Sequence, residues 1–197
     1  IDFAALAAAE EGADCIALVP ASPGLFHYYA ACGFHHAFDC ETTHLSRGEA
    51  EKIAARAAGL VRTLTAAEMA EIRSNVLHGR DHLIWDAAAV QYALNEHLTT
   101  GGGALCIQTV EGEKGYCLYQ QQEECCFAQE FLASERAVLP LFETSGARRF
   151  TLRLPTGLFP APGQTENAAF GMLRPLSPRA EPLPLMLKDA YLGLSLG

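Results

Sequence analysis

Five groups of residues in this chain have types and spacings that invite chemistry. His35, His36, Cys40 and His44 offer the imidazole and thiol donors that hold zinc. Along a strand, His36 and Cys40 would lie about 13 Å apart at roughly 3.3 Å per residue, beyond a shared ion. On a helix the same spacing would stack them. The aromatic and threonine content of 34–43 predicts a strand, so no metal site is expected. Cys125-Cys126 suggests a thiol enzyme with His82 or His97 as base. Neighbours on a strand face opposite ways, however, and ordinary packing is the expectation. Gly101 to Gly103 follow a helical pattern and so end a helix, where a phosphate cradle would need them to open one. Residues 130–136 (Glu-Phe-Leu-Ala-Ser-Glu-Arg) contain no glycine for close backbone approach to phosphate. Tyr29, with Leu25, Tyr28 and Cys32, sits at helical spacing on one apolar face and by itself is a core aromatic.

The elements that must position these groups follow from periodicity and punctuation. Residues 1–11 are Ala-rich and helical, Gly12 stops them, and the apolar run 15–19 predicts a strand covered on both faces. Pro20, Ser22, Pro23 and Gly24 make a turn into the helix carrying Tyr29, which Gly33 ends before the strand at 34–43. The charged, Ala-rich stretch 47–64 is expected to be a linker helix. Thr65 and Glu68 form a capping box for a helix whose Met69, Ile72 and Val76 share a face. Asp86 caps another helix, with Val90, Ala93, Leu94, His97 and Leu98 as its stripe. Strands are expected at 104–110, 116–120, 125–132 and 149–154, with a hairpin turn at 111–115. Ser134 should cap a helix over 135–144 that Gly146 ends. The Pro- and Gly-rich tail, 155–184, with short apolar segments at 170–173 and 191–196, is expected to be loops plus an edge strand or two.

Composition narrows the possibilities. With 197 residues and 50% hydrophobic content the chain can bury a sizeable core. A net charge of -9 disfavours a broad grip on phosphate backbones, so nucleic acid is not an expected partner. No apolar run approaches the roughly 18 residues that span a bilayer, and no secretion signal is visible. The expected location is the cytoplasm, without a membrane partner. The seven cysteines (Cys15, Cys32, Cys40, Cys106, Cys117, Cys125, Cys126) are odd in number and lack C-x-x-C spacing, a pattern of buried thiols rather than a disulfide framework. The helical run opens at Ile1 with no cap before it, so the chain is expected to start inside an element.

The segment Leu18-Val19-Pro20-Ala21-Ser22, then Leu25-Phe26-His27-Tyr28-Tyr29, then Cys32-Gly33-Phe34 resembles the C-terminal half of a catalytic domain of the GNAT superfamily of acyl-CoA-dependent N-acetyltransferases. That family pattern is a buried strand, a helix carrying F-Y-x-x-x-G-F, and a final strand. Tyr29, Gly33 and Phe34 meet it, while Tyr28 stands where a Phe is usual. More loosely, Asp86 to Gly103, Gly115-Tyr116, Glu130-Phe131 and Phe170-Gly171-Met172 resemble the second half of bacterial proteins with two tandem GNAT-like units. The resemblance implies a mixed α/β fold: residues 1–46 as the C-terminal part of a GNAT catalytic domain, 47–64 as linker, and 65–197 as a second, noncatalytic GNAT-like domain.

It also implies acetyl-CoA as cosubstrate and a primary amine as acceptor. Acetyl transfer needs a neutral amine, donors for the oxyanion and an acid for the leaving thiolate. A phenol titrating near 10 can protonate a thiolate whose conjugate acid lies near 8.5 if held within reach. The resemblance puts Tyr29 in that role. Ser22 falls where many members place an Asn that bonds the CoA arm; a cap or turn hydroxyl is the other reading of it. The family's pyrophosphate loop, R/Q-x-x-G-x-G/A, would precede the helix at 1–11 and is absent from the sequence. The chain alone is therefore expected to be a poor or inactive acetyltransferase. The alternative is a noncatalytic module for substrate binding or subunit contact, and homo-oligomerisation is compatible with either.

Overall fold

The computed structural model describes residues 1–53, 59–160, 163–187 and 190–194. Eight strands form one sheet: β1 (Cys15–Leu18), β2 (His35–Ser46), β3 (Gly59–Thr63), β4 (Gly103–Thr109), β5 (Lys114–Gln122), β6 (Cys125–Leu132), β7 (Arg149–Leu154) and β8 (Gln164–Pro175). The helices are α1 (Asp2–Glu10), α2 (Leu25–Ala31), α3 (Arg47–Ile53), α4 (Ala66–Val76), α5 (Ala87–Thr99), α6 (Val138–Ser145) and the short α7 (Leu183–Met186). The strands lie in the order β1-β8-β2-β7-β6-β5-β4-β3. The chain thus adopts the mixed α/β architecture expected from its sequence.

One strand determines how the sheet is joined. β8 pairs antiparallel with β1 (Cys15 opposite Pro175, Leu18 opposite Met172) and with β2 (His35 opposite Leu173, His44 opposite Gln164). β1 and β2 therefore run parallel with β8 between them, and α2 is their crossover. The sheet passes through residues 1–46 and 65–197 alike. β6 and β7 are also parallel, with α6 as crossover, and pair only over Cys125–Ala128 and Arg149–Leu152.

Three local expectations are corrected. The tail is not mainly loop, because β8 is a 12-residue internal strand. Its first half, 164–169, is exposed and is polar over 164–167 with two alanines after, so only the buried 170–173 carried a strong apolar signal. The linker helix is present over α3, while Gly59 to Thr63 are instead a strand on the far edge, paired with β4, where Leu60, Val61 and Thr63 suit a pleated surface. Residues 54–58 of the expected linker lie outside the described residues. Ser134 opens a 3-10 turn (Glu135–Ala137) without a side-chain cap, and α6 begins only at Val138. Gly146, at φ 68°, ends α6 in the left-handed conformation that glycine adopts without penalty. All seven cysteines are free thiols. No helix among the described residues is long and apolar enough to cross a membrane.

Packing follows the stripes. Met69 and Ile72 of α4 and Val90, Ala93 and Leu94 of α5 meet Cys106, Tyr116 and Leu132 of the sheet. Phe142 of α6 packs edge-on against Phe150 of β7 at 4.6 Å in a separate core cluster. Leu98, expected in the α5 stripe, is exposed.

The buried face of α4 also carries Arg73, whose side chain is 4% exposed. Arg73 Nη1 donates to Glu130 Oε1 at 2.5 Å, and the Tyr116 hydroxyl donates to Glu130 Oε2 at 2.5 Å. Burial works most strongly against the Arg73 charge, but the Glu130 carboxylate together with the Tyr116 and Tyr191 phenols outweighs it and holds the guanidinium protonated. Burial, then the same carboxylate, pushes the Tyr116 and Tyr191 phenols well above their ordinary range. Arg73 Nη2 donates to the Leu192 carbonyl at 2.8 Å, so this pair tethers residues 190–194. That segment is also tied by Leu83 N to Tyr191 O and Tyr191 N to Asp81 O, both 2.9 Å, and by Asp39 N to Ala190 O at 3.1 Å. The last bond uses a β2 residue at the register shift around Phe38. Gly193 has φ 60° and lies so close to the pair that a Cβ there would collide with Glu130 Oε1.

Two measurements test these anchors. The Arg62 guanidinium, then the Thr65 hydroxyl, lower the Glu68 carboxyl from the ordinary 4.5 to about 2. A lowered folded-state pKa adds stability that is full above the unfolded value and lost as pH falls through the folded one. The urea midpoint of Glu68→Gln is thus expected below wild type at neutral pH, the gap closing as pH drops from 4.5 towards 2. A gap independent of pH would show that the charge contributes nothing. Second, Arg73→Met should lose about 3–5 kcal/mol, because Glu130 is left buried without a countercharge, bonded to the Tyr116 hydroxyl. R73M combined with Glu130→Leu should recover most of that in denaturant unfolding. Equal losses in the single and double variants would show that the two charges do not act as a pair.

Candidate functional site

The turn and helix after β1 hold the two residues singled out by resemblance. Ser22 is exposed, and its carbonyl accepts from Leu25 N at 3.0 Å. Gly24, not Ser22, is the N-cap of α2, and no side chain caps that helix. The Ser22 hydroxyl thus has no capping duty. Tyr29 is half-buried near the end of α2. Its ring stands edge-on to Tyr28 at 5.2 Å and to Phe34 at 5.9 Å. The Tyr29 carbonyl accepts from both Cys32 N and Phe34 N, which fixes the exit of α2 into β2.

Beside the C-terminal end of β1 lies a cavity of about 160 Å³. Ala17, Leu18 and Val19 form its strand side. Leu83 and Trp85, from the segment before α5, and Leu192 and Leu194, from the tethered segment, close the others. Every lining side chain is hydrocarbon except the Trp85 indole, whose Nε1 donates to the Leu192 carbonyl at 3.1 Å. Leu192 O therefore accepts from both Arg73 and Trp85, which holds this wall in place. Neither Ser22 nor Tyr29 lines the cavity; Val19 is its residue nearest in sequence to Ser22. Sequence reasoning missed Trp85, Leu83 and Leu192 altogether. Their only local signals are a lone tryptophan and scattered leucines, and the wall forms from pieces about a hundred residues apart.

The other chemical groups are placed as follows. His36, on β2, contacts Asp39 Oδ1 at 2.7 Å, and the segment is a strand. Among the described residues no three His, Cys, Asp or Glu side chains gather in a way that would hold a metal ion. Cys126 is buried while Cys125 is half-buried, as opposite faces of a strand require. Burial raises the Cys126 thiol, which weakens it as a nucleophile. His97 is buried with Nε2 facing the carbonyls of Gly103 (3.0 Å) and Tyr119 (3.2 Å), an arrangement that assigns the proton to Nε2. His82 Nδ1 faces the Arg80 carbonyl at 2.8 Å. Both proposed bases are thus engaged with backbone. A groove of about 520 Å³ brings Cys125 together with His44, Glu49 and Arg149, a grouping the sequence concealed because β7 lies between the strands involved. Between β6 and α6, residues 133–137 offer no glycine, and Arg136 is paired with Glu111. Where the β6–β7 ladder stops, Phe159 packs edge-on against Phe131 at 6.0 Å.

No family model matches the chain, and no curated protein matches it. Solved structures do. A GCN5-related N-acetyltransferase from Kribbella flavida is 20% identical with a TM-score of 0.58, over 87% of this chain and 46% of that one. A conserved protein of unknown function from Enterococcus faecalis V583, described as a probable N-acyltransferase, is 16% identical at TM-score 0.61, over 88% and 48%. A GCN5-related N-acetyltransferase from Anabaena variabilis ATCC 29413 is 12% identical at 0.59, over 89% and 49%. The chain spans about half the length of these proteins. Its fold is similar to that of GCN5-related N-acetyltransferases.

Proposed function

We propose that this chain is part of an acyl-CoA-dependent N-acyltransferase in which a primary amine attacks the thioester carbonyl directly. The observation that supports the reading most is the β1–α2–β2 unit completed by β8. It carries Tyr29, Gly33 and Phe34 in the pattern that resembles GNAT proteins, within a fold similar to solved GCN5-related N-acetyltransferases. In this reading the neutral amine adds to the carbonyl carbon, and the tetrahedral intermediate collapses with cleavage of the C–S bond. Tyr29 gives its phenolic proton to the departing thiolate and regains one from the nitrogen that has become an amide. Ser22, exposed at the turn before α2 and free of capping duty, donates to the cofactor arm. Acetyl-CoA is the cosubstrate, no metal takes part, and the amine acceptor is small-molecule or protein.

Residues 1–46 then carry the reacting end, while residues 65–197 are a noncatalytic unit that supplies β8 and two walls of the cavity. What supports a noncatalytic second unit is that Phe159 and Phe131 fill the space where β6 and β7 part, and that residues 133–137 lack a phosphate loop. The residues given contain no R/Q-x-x-G-x-G/A loop, and in this reading the chain alone turns over poorly. The same reading places the protein in the cytoplasm.

In the protein carrying this chain, thiol release from acetyl-CoA with a panel of primary amines should fall at least about 10²-fold in kcat for Tyr29→Phe, the scale of one general acid. KM for acetyl-CoA should stay within a few fold, because the ring and its packing remain. Unchanged kcat in the variant would remove Tyr29 from the mechanism. Wild type without thiol release on any amine would overturn the acyltransfer reading.

A further inference from the structure

We propose that the cavity at the end of β1 lets this site take, besides the acetyl group, the hydrocarbon chain of an acyl thioester of about four to six carbons. This deepens the acyltransfer reading and rests on it for the thioester.

Three observations converge. The lining is mostly apolar, its polar part being backbone, and its one polar side-chain atom, Trp85 Nε1, is already bonded to Leu192 O. An amine or hydroxyl entering would shed water with no side-chain partner to replace it, whereas methylenes gain by leaving water. Next, the volume of about 160 Å³, in a pocket that opens to solvent on one side, is close to that of an engineered 150 Å³ apolar cavity, in another protein, that binds benzene. Six carbons fill such a space, and an acetyl group would leave most of it empty. Finally, the wall is braced against collapse. Leu192 O is held by Arg73 and by Trp85, and Arg73 in turn by Glu130. The backbone at Tyr191 is tied on both sides, to Leu83 and Asp81. A void that its lining cannot close selects for the ligand that fills it.

Trp85 is the single tryptophan, so its emission reports on this cavity alone. The chain is titrated with N-acetylcysteamine thioesters carrying acetyl, butyryl, hexanoyl and decanoyl groups; these lack the nucleotide and need no pyrophosphate loop. The expected result is a saturable change in Trp85 emission, with affinity rising about fourfold per added methylene up to hexanoyl and no further gain at decanoyl. Hexanoate and hexylamine, which share the chain but not the thioester, should bind at least tenfold more weakly than hexanoyl thioester. Val19→Phe, which narrows the space, should abolish the advantage of hexanoyl over acetyl. Equal affinity for acetyl and hexanoyl thioesters would overturn the proposal, as would tighter binding of hexylamine or hexanoate. If the thioester series shows no preference while the protein carrying this chain still releases thiol from acetyl-CoA, the cavity assignment fails and acyl transfer stands. If the chain-length series appears but Tyr29→Phe is fully active, the mechanism fails and the cavity assignment stands.

Discussion

The backbone ladder on both edges of β8 is the interaction on which the arrangement depends. β1 and β2 do not touch each other in the sheet; each is paired to β8. A βαβ crossover needs two parallel strands at fixed separation, and a segment beginning at Gln164 provides it for residues near the start of the chain. The direction of α2, the turn bearing Ser22 and the place of Tyr29 all follow from that pairing. Closing so long a connection costs little more entropy than closing a shorter one, because the cost grows only with the logarithm of length. The hydrogen bonds of two ladders offset it.

The second constraint is electrostatic. Burying an arginine and a carboxylate costs several kcal/mol of hydration for each, and their attraction often does no more than offset it. The pair of Arg73 and Glu130 therefore matters less for net stability than for where it holds residues 190–194. One guanidinium face is committed to Glu130, and the other arm to the Leu192 carbonyl. The consequence is a rigid hydrocarbon wall at the end of β1, set by charges that cannot be moved without leaving one of them unpaired.

Legibility in the sequence followed the range of the interactions. The capping box of Thr65 and Glu68, the Asp86 cap and the Gly146 stop are local, and each is present as its residues dictate. β2 was legible because its aromatic and threonine residues suit a pleated surface from either face. Gln164 to Ala169 carry no such signal; they are strand because β2 offers them an unpaired edge, a tertiary effect that overrides propensity. Arg73 was invisible for the same reason, since a basic residue on α4 looks solvated until Glu130, 57 residues on, is placed beside it. The Ala-rich stretch before Thr65 hid β3 in a helical context. At the site, the motif around Tyr29 was readable by resemblance, while the cavity, built from β1, Trp85 and Leu192, exists only once the sheet has closed.

The most direct measurement is a crystal structure of this chain with an unreactive thioester mimic, S-acetonyl-pantetheine. The account predicts its sulfur at the C-terminal end of β1, within hydrogen-bond reach of the Tyr29 hydroxyl, and its acyl end directed at Trp85. A mimic seated instead in the groove of His44 and Cys125, with Tyr29 still packed on Phe34 and no sulfur near it, would contradict the account.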